Sequence, residues 1–167
     1  MRSAPHAHSY ISDHVRVQLL PNLKLLRILI AFLIVEQKYF LRKMVNLRLL
    51  HVDLFPSSSN LMWCLQTLHV YDGNIGAPVD IWNMPQLRHV YFLLPGQIHL
   101  PDDPSDSMVI MENLQTLKEI KNFKCNEMMV RKIPNIKKLR ISYIRKSGDG
   151  DYCLYNIERL QKLESFY

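Results

Sequence analysis

The sequence is short of most features that would mark a secreted, membrane-spanning or nucleotide-hydrolysing protein. It has three cysteines, Cys64, Cys125 and Cys153, which lie far apart and are odd in number. That pattern suits neither a disulfide framework nor a zinc-ligand spacing, and reads as three thiols. No asparagine has Ser or Thr two places on, so there is no N-glycosylation sequon. Both absences fit a reducing, intracellular setting, cytoplasmic in the first instance, with a membrane-peripheral or nuclear site as alternatives. The segment Met1–His8 carries Arg2 but no following apolar stretch, which excludes a secretory signal. The longest apolar run, Ile28 to Val35, is less than half of the roughly 20 residues a transmembrane helix needs. Glycine is scarce, and none of Gly73, Gly76, Gly96, Gly148 and Gly150 is followed by Lys. A phosphate-cradling loop, G-x-x-x-x-G-K-[ST], is therefore absent, and no nucleotide or other cofactor is expected. Ser, His and Asp occur without a G-x-S-x-G elbow or a comparable nucleophile setting, so the chain reads as a non-enzyme.

What is present is a globular composition. With 48% hydrophobic and 22% charged residues over 167 positions, the chain can bury one ordinary core and is not disordered. The formal net charge of +6 favours acidic partners without choosing among nucleic acid, anionic membrane and an acidic protein face.

An internal repeat carries the fold assignment. Leu41-x-x-Met44-x-x-Leu47-x-x-Leu50-x-Val52 returns as Ile81, Met84, Leu87, Val90 and Phe92, and again as Val130, Ile133, Ile136, Leu139 and Ile141. Val17, Leu20, Leu23, Leu26 and Ile28 keep the same spacing, while Leu65, Leu68 and Val70 preserve only its end. Met108, Met111, Leu114 and Leu117, and Leu154, Ile157, Leu160 and Leu163, keep the steps of three but lack the final step of two; Ile120 and Phe166, three places on, are the substitutes. The mean repeat is roughly 23 residues, inside the leucine-rich-repeat range. An amphipathic helix alternates steps of three and four, whereas steps of three ending in a step of two describe a turn feeding a short strand. The expected fold is an α/β leucine-rich-repeat solenoid, with short parallel strands on the concave face and irregular loops and short helical turns on the convex face. Residues 1–16 are a leader or incomplete first repeat, and 17–167 hold six to seven irregular repeats that end at Phe166-Tyr167 without a polar cap, as a truncated piece would.

Leu50, Leu68 and Leu139 are expected in the core. The Asn or Cys common five places after the second Leu is replaced by Phe55, Gly73, Pro95 and Ile144, which predicts uneven loops: a short one at Pro56–Asn60 and a long acidic one at Pro95–Ser107.

Four phrases stand out: Leu23-Lys24-Leu25-Leu26-Arg27-Ile28-Leu29, Ile81-Trp82-Asn83-Met84-Pro85-Gln86-Leu87-Arg88-His89-Val90, Glu112-Asn113-Leu114-Gln115-Thr116-Leu117 and Arg131-Lys132-Ile133-Pro134-Asn135-Ile136-Lys137-Lys138-Leu139. Together they resemble the leucine-rich-repeat region of plant coiled-coil, nucleotide-binding immune receptors of the late blight resistance type. The resemblance implies pathogen effector recognition and autoinhibitory restraint of a nucleotide-dependent switch in defence. Its implied partners are proteins: an effector, a guarded host protein, or the nucleotide-binding domain of a related receptor. A ubiquitin-ligase substrate adaptor is the alternative, but residues 1–16 are too few for a helical F-box. A nucleic-acid-binding surface is a third reading, less favoured, and would reveal itself by steep salt dependence.

If the strand register holds, the outward position between the last two anchors carries Arg27, His51, His69, Tyr91, Lys118, Arg140 and Glu164. Neighbouring outward positions add Lys24, Arg48, Arg88 and Lys137, with His89 and Tyr71 close by. Polar outward positions are required by solubility alone, but basic and aromatic enrichment suits a binding face, where Arg and Tyr combine contact area with directed polar groups. The candidate protein-binding residues are thus Arg27, Arg48, His51, His69, Tyr71, Arg88, His89, Tyr91, Lys137 and Arg140. His6, His8 and His14, and separately Asp102, Asp103 and Asp106, lack the spacing of a zinc or calcium site, so no metal is expected. Trp82 is expected to pack on the convex side.

Overall fold

Residues two apart along a strand share a face, so the paired anchors of each repeat must point the same way once the chain is extended. The computed structural model describes residues 9–12, 23–31, 44–53, 55, 62–73, 78–99, 109–144 and 152–167. Among these, eight strands form one parallel sheet in chain order: β1 (Ser9–Ser12), β2 (Ile28–Ala31), β3 (Leu49–Val52), β4 (Thr67–Asp72), β5 (His89–Gly96), β6 (Thr116–Lys121), β7 (Lys138–Ser142) and β8 (Ser165–Phe166). Each repeat adds one strand beside the last, and the chain is a leucine-rich-repeat solenoid.

The step of three has a direct cause. Before each strand the chain turns tightly, with the N–H of Leu47 donating to the carbonyl of Met44 at 3.1 Å, Leu65 to Met62 at 3.1 Å, Leu87 to Met84 at 3.0 Å, Leu114 to Met111 at 3.0 Å and Ile136 to Ile133 at 3.2 Å. Such three-residue closures put both ends of the turn on the core side. Above the turns, one buried layer runs through Leu29, Leu50, Leu68, Val90, Leu117 and Leu139, which are successive partners in the register. A second runs through Val52, Val70 and Phe92. Leu50, Leu68 and Leu139 are buried as expected.

A column of asparagines stitches the turns together. The side-chain amide of Asn46 donates to the Lys24 carbonyl at 2.7 Å, Asn113 to that of Pro85 at 2.9 Å and Asn135 to that of Glu112 at 2.7 Å. Each satisfies a carbonyl of the preceding turn that the sheet ladder cannot reach. The Lys162 ammonium extends the column to Asn135 Oδ1 at 2.6 Å.

Across the core from the sheet's outer face lie short helical pieces: the three-ten turn Leu154–Arg159 and the helix α1 (Glu127–Lys132), while the three-ten turn Leu23–Leu25 is the tight turn that leads into β2. Asn126 caps α1 by accepting the Met129 N–H at 2.8 Å, while Met129 and Val130 turn into the core. Trp82 is buried on this side; its indole N–H donates to the His99 carbonyl, and the Lys132 ammonium sits 5.3 Å from its ring centroid.

Four details depart from the sequence expectation. The first repeat is three residues out of step: Leu29, not Leu26, pairs with Leu50, so Leu26 takes the place of Leu47. The last is displaced likewise, since Phe166 pairs with Leu139 and Leu163 takes the place of Ile136. The Leu65 repeat does have its earlier anchor, the buried Met62. Pro95 and Gly96, assigned to a loop, extend β5, and Val79 then bridges Ile98. Ile120 substitutes as expected, through an irregularity in which Glu119 takes the left-handed φ of 58° and Ile120 pairs with Ile141. The expected Pro56–Asn60 loop and residues 100–107 of the acidic loop lie outside the described residues.

Phe92 fills the layer in which β3 and β4 carry valines, and glycine makes room for it. A Cβ at Gly96 would stand 2.2 Å from Phe92 Cδ1, and one at Gly73 would stand 2.4 Å from the same atom. Among the described residues no helix is long and apolar enough to cross a membrane.

Candidate protein-binding face

The outward positions of the strands stack into rows because the strands are parallel and stay in register up to the irregularities after Tyr91 and Leu117. The first row is held by backbone bonds: Arg48 N–H donates to Arg27 O at 2.8 Å, Gln66 to Arg48 at 2.8 Å, Arg88 to Gln66 at 2.8 Å, Gln115 to Arg88 at 2.9 Å, Lys137 to Gln115 at 2.8 Å and Glu164 to Lys137 at 2.7 Å. Arg27 and Glu164 therefore belong with Arg48 and Lys137, not with His51 and His69. Ile30 takes the position beside His51 that was assigned to Arg27.

The second row is Leu49, Thr67, His89, Thr116, Lys138 and Ser165. The third is Ile30, His51, His69, Tyr91 and Lys118. The strand spacing brings the third row's rings into contact: His51 and His69 centroids are 5.6 Å apart, His69 meets Tyr91 edge-on at 4.7 Å, and the Lys118 ammonium lies 5.8 Å from the Tyr91 centroid. His89 stacks on Tyr91 at 6.2 Å, and its Nδ1 lies 3.1 Å from Thr116 Oγ1. His51, His69, His89 and Tyr91 thus form one half-buried cluster, with the exposed Arg48 and Arg88 along one side. Tyr71, two residues beyond His69 on the same face, is 44% exposed.

The remaining candidates are partly neutralised. Arg140 Nε is 2.9 Å from Glu119 Oε1, and Lys137 Nζ is 3.1 Å from Glu164 Oε1. Glu119 was not a sequence candidate because the usual spacing points it into the core; the irregularity in β6 turns it outward. Lys138, exposed in the row of His89, was also missed, although the repeat arithmetic that found Lys137 places it one residue on.

The electrostatics of the cluster follow from crowding. Burial pushes the His69 imidazole below its ordinary pKa, and the nearby His51 and His89 add to the shift. His89 is lowered by burial and then by the charges of Arg88 and Lys138. Burial raises Asp53, against the opposing pull of His51. Both shifts favour the neutral imidazole at His69 and His89, able to donate, accept and stack, bordered by guanidinium and ammonium groups. Among the described residues no group of three His, Cys, Asp or Glu side chains is arranged to hold a metal; His6, His8, His14, Asp102, Asp103 and Asp106 lie outside them.

No protein-family model matches the chain. Two curated Solanum demissum proteins, each named "Putative late blight resistance protein homolog", are 28% identical over 156 residues, covering 80% of this chain and 11% of their own length. A third of the same name and organism is 30% identical over 96 residues, covering 50% of this chain and 7% of its own length. The chain is thus a leucine-rich-repeat solenoid similar to a small part of late blight resistance protein homologs.

Proposed function

We propose that the chain is a non-enzymatic protein-binding module of a plant disease resistance protein, with one repeat domain over 17–167. Its concave face takes an acidic protein surface. The observation that carries this reading is the continuous His51–His69–Tyr91–Lys118 row flanked by Arg48 and Arg88. Aromatic contact area beside directed cationic donors is the composition of an interface core, and exceeds what an outward solvated face needs. The working location is cytoplasmic, and the partner is an effector, a guarded host protein or the nucleotide-binding domain of a related receptor. The last is favoured for testing because it also accounts for autoinhibition.

The test is a pull-down of the chain against the separately expressed nucleotide-binding domain of a full-length relative, with Arg48→Glu, His69→Glu, Arg88→Glu and Arg140→Glu combined in parallel. Capture by the wild type and loss on charge reversal is the expected result. Equal capture by both moves the contact off this face, and no capture by the folded wild type removes the autoinhibitory role.

A further inference from the structure

Two of the three thiols come together on the outer side of the last turns, away from the concave face. The Cys125 backbone N–H donates to the Tyr152 carbonyl at 2.9 Å. In the sheet the same pattern identifies Cα partners: the Leu49 N–H donates to Arg27 O at 3.0 Å, and Leu49 is paired with Ile28, the residue after Arg27. The Cys125 bond therefore holds Cys153, the residue after Tyr152, next to Cys125. Backbones joined by such a bond have Cα atoms roughly 5.5 Å apart, inside the Cα–Cα range that a disulfide spans. The two sulfurs are near enough to interact electrostatically, and Tyr143, whose ring is 4.3 Å from that of Tyr152, lies within hydrogen-bond reach of the Cys125 sulfur. Farther along, Arg159 lies 3.0 Å from Glu127, where the same two segments run side by side.

Cys153 also departs from regular backbone geometry. Its φ of 54° is left-handed, uncommon for a residue with a Cβ. It begins the three-ten turn Leu154–Arg159 without using its side chain as a cap.

We propose that Cys125 and Cys153 form a reversible intramolecular disulfide when the protein meets a hydroperoxide. Cys153, half-buried, reacts first: its sulfur attacks the peroxide, the O–O bond breaks, and the leaving oxygen departs with the thiol proton, as water when the oxidant is hydrogen peroxide. That leaves a sulfenic acid on Cys153. The Cys125 sulfur then attacks the sulfenic sulfur, the S–O bond breaks, and the hydroxyl leaves as water with the Cys125 proton. Two thiols lose two electrons and one peroxide is reduced to two waters. Cys125 is buried, which keeps it from the oxidant and pushes its thiol up to about 11, so it meets only the adjacent sulfenic acid and gives up its proton as the S–O bond breaks. Cys64, exposed in the turn before β4, is remote in the fold from this pair.

The experiment uses the full chain carrying Cys64→Ser, treated with hydrogen peroxide, quenched with a thiol-alkylating reagent and mapped as peptides without reduction. The expected result is a peptide linking Cys125 to Cys153 that dithiothreitol releases and that is absent from Cys153→Ser, a substitution at a half-buried site. Oxidised chain should also melt higher than reduced chain, on the order of 5–10 °C. Accumulation of sulfinic acid on Cys153 without the linked peptide overturns the proposal. So does a linked peptide that forms no faster in the folded chain than in urea.

Discussion

Replacing Gly96 with Ala tests the packing of the β4–β5 layer most sharply, because the obstacle is a single ring. The new methyl carbon would lie 2.2 Å from Phe92 Cδ1, 2.5 Å from Cε1 and 2.7 Å from Cγ, all far inside van der Waals contact. Phe92 is 2% exposed and held in register opposite Val70, so its ring has little room to withdraw. Overpacking of this kind costs about 1–3 kcal/mol. Phe92→Val alone leaves a cavity and should cost less than the roughly 3–5 kcal/mol of a Phe→Ala change. Combined, the smaller side chain removes the clash and the methyl fills part of the void, so the double variant should recover at least about 1 kcal/mol relative to the sum of the singles. Urea unfolding followed by circular dichroism measures all three. With an m-value of about 1–3 kcal/mol/M, a 2 kcal/mol change shifts the midpoint by roughly 1 M. Additivity within about 0.5 kcal/mol would refute the steric argument.

Leu68→Ala, in a side chain with no exposed surface, should cost about 2–5 kcal/mol, whereas Leu93→Ala, at 65% exposure, should stay within about 0.5; the same urea assay compares them. Asn113→Ala should cost about 1–2 kcal/mol by stranding the Pro85 carbonyl, and Asn113→Asp should not restore it in thermal unfolding, because a carboxylate has no N–H to donate. His69 and His89 are both held below their ordinary value of 6.5, so the unfolded chain takes up their protons first. Their contribution to stability is complete above pH 6.5 and falls as pH drops through the folded values; His69→Gln should flatten that part of the midpoint-versus-pH curve, and an unchanged slope would contradict the assignment.

The spacing of apolar residues carried most of the fold because turn closure and strand alternation leave little freedom once the steps are three, three and two. It failed where those steps were ambiguous. In Leu25-Leu26-Arg27-Ile28-Leu29 both Ile28 and Leu29 satisfy an apolar anchor, and only pairing with Leu50 selects Leu29. At the other end, Leu154, Ile157, Leu160 and Leu163 are evenly spaced, so a slip of one step keeps every residue apolar; Phe166 against Leu139 decides it. Most of the binding-face candidates depended only on central repeats and fell together on the concave rows. Their neutralising partners did not show, because Glu119 reaches Arg140 through a left-handed residue that no spacing rule anticipates. The asparagine column was legible, since Asn46, Asn113 and Asn135 each precede an anchor Leu or Ile. It was overlooked because the more familiar asparagine position lies after the strand.

The most direct test of the binding face compares two charge reversals of equal size by titration calorimetry against the nucleotide-binding domain of a full-length relative. One is Arg48→Glu with Arg88→Glu, on the concave side. The other is Arg131→Glu with Arg159→Glu, across the core, where the exposed pairs to Glu127 contribute little to folding. The account predicts more than about a tenfold loss of affinity for the concave pair and less than about twofold for the other, with both variants folded. Equal losses, or a larger loss from the outer pair, would contradict it.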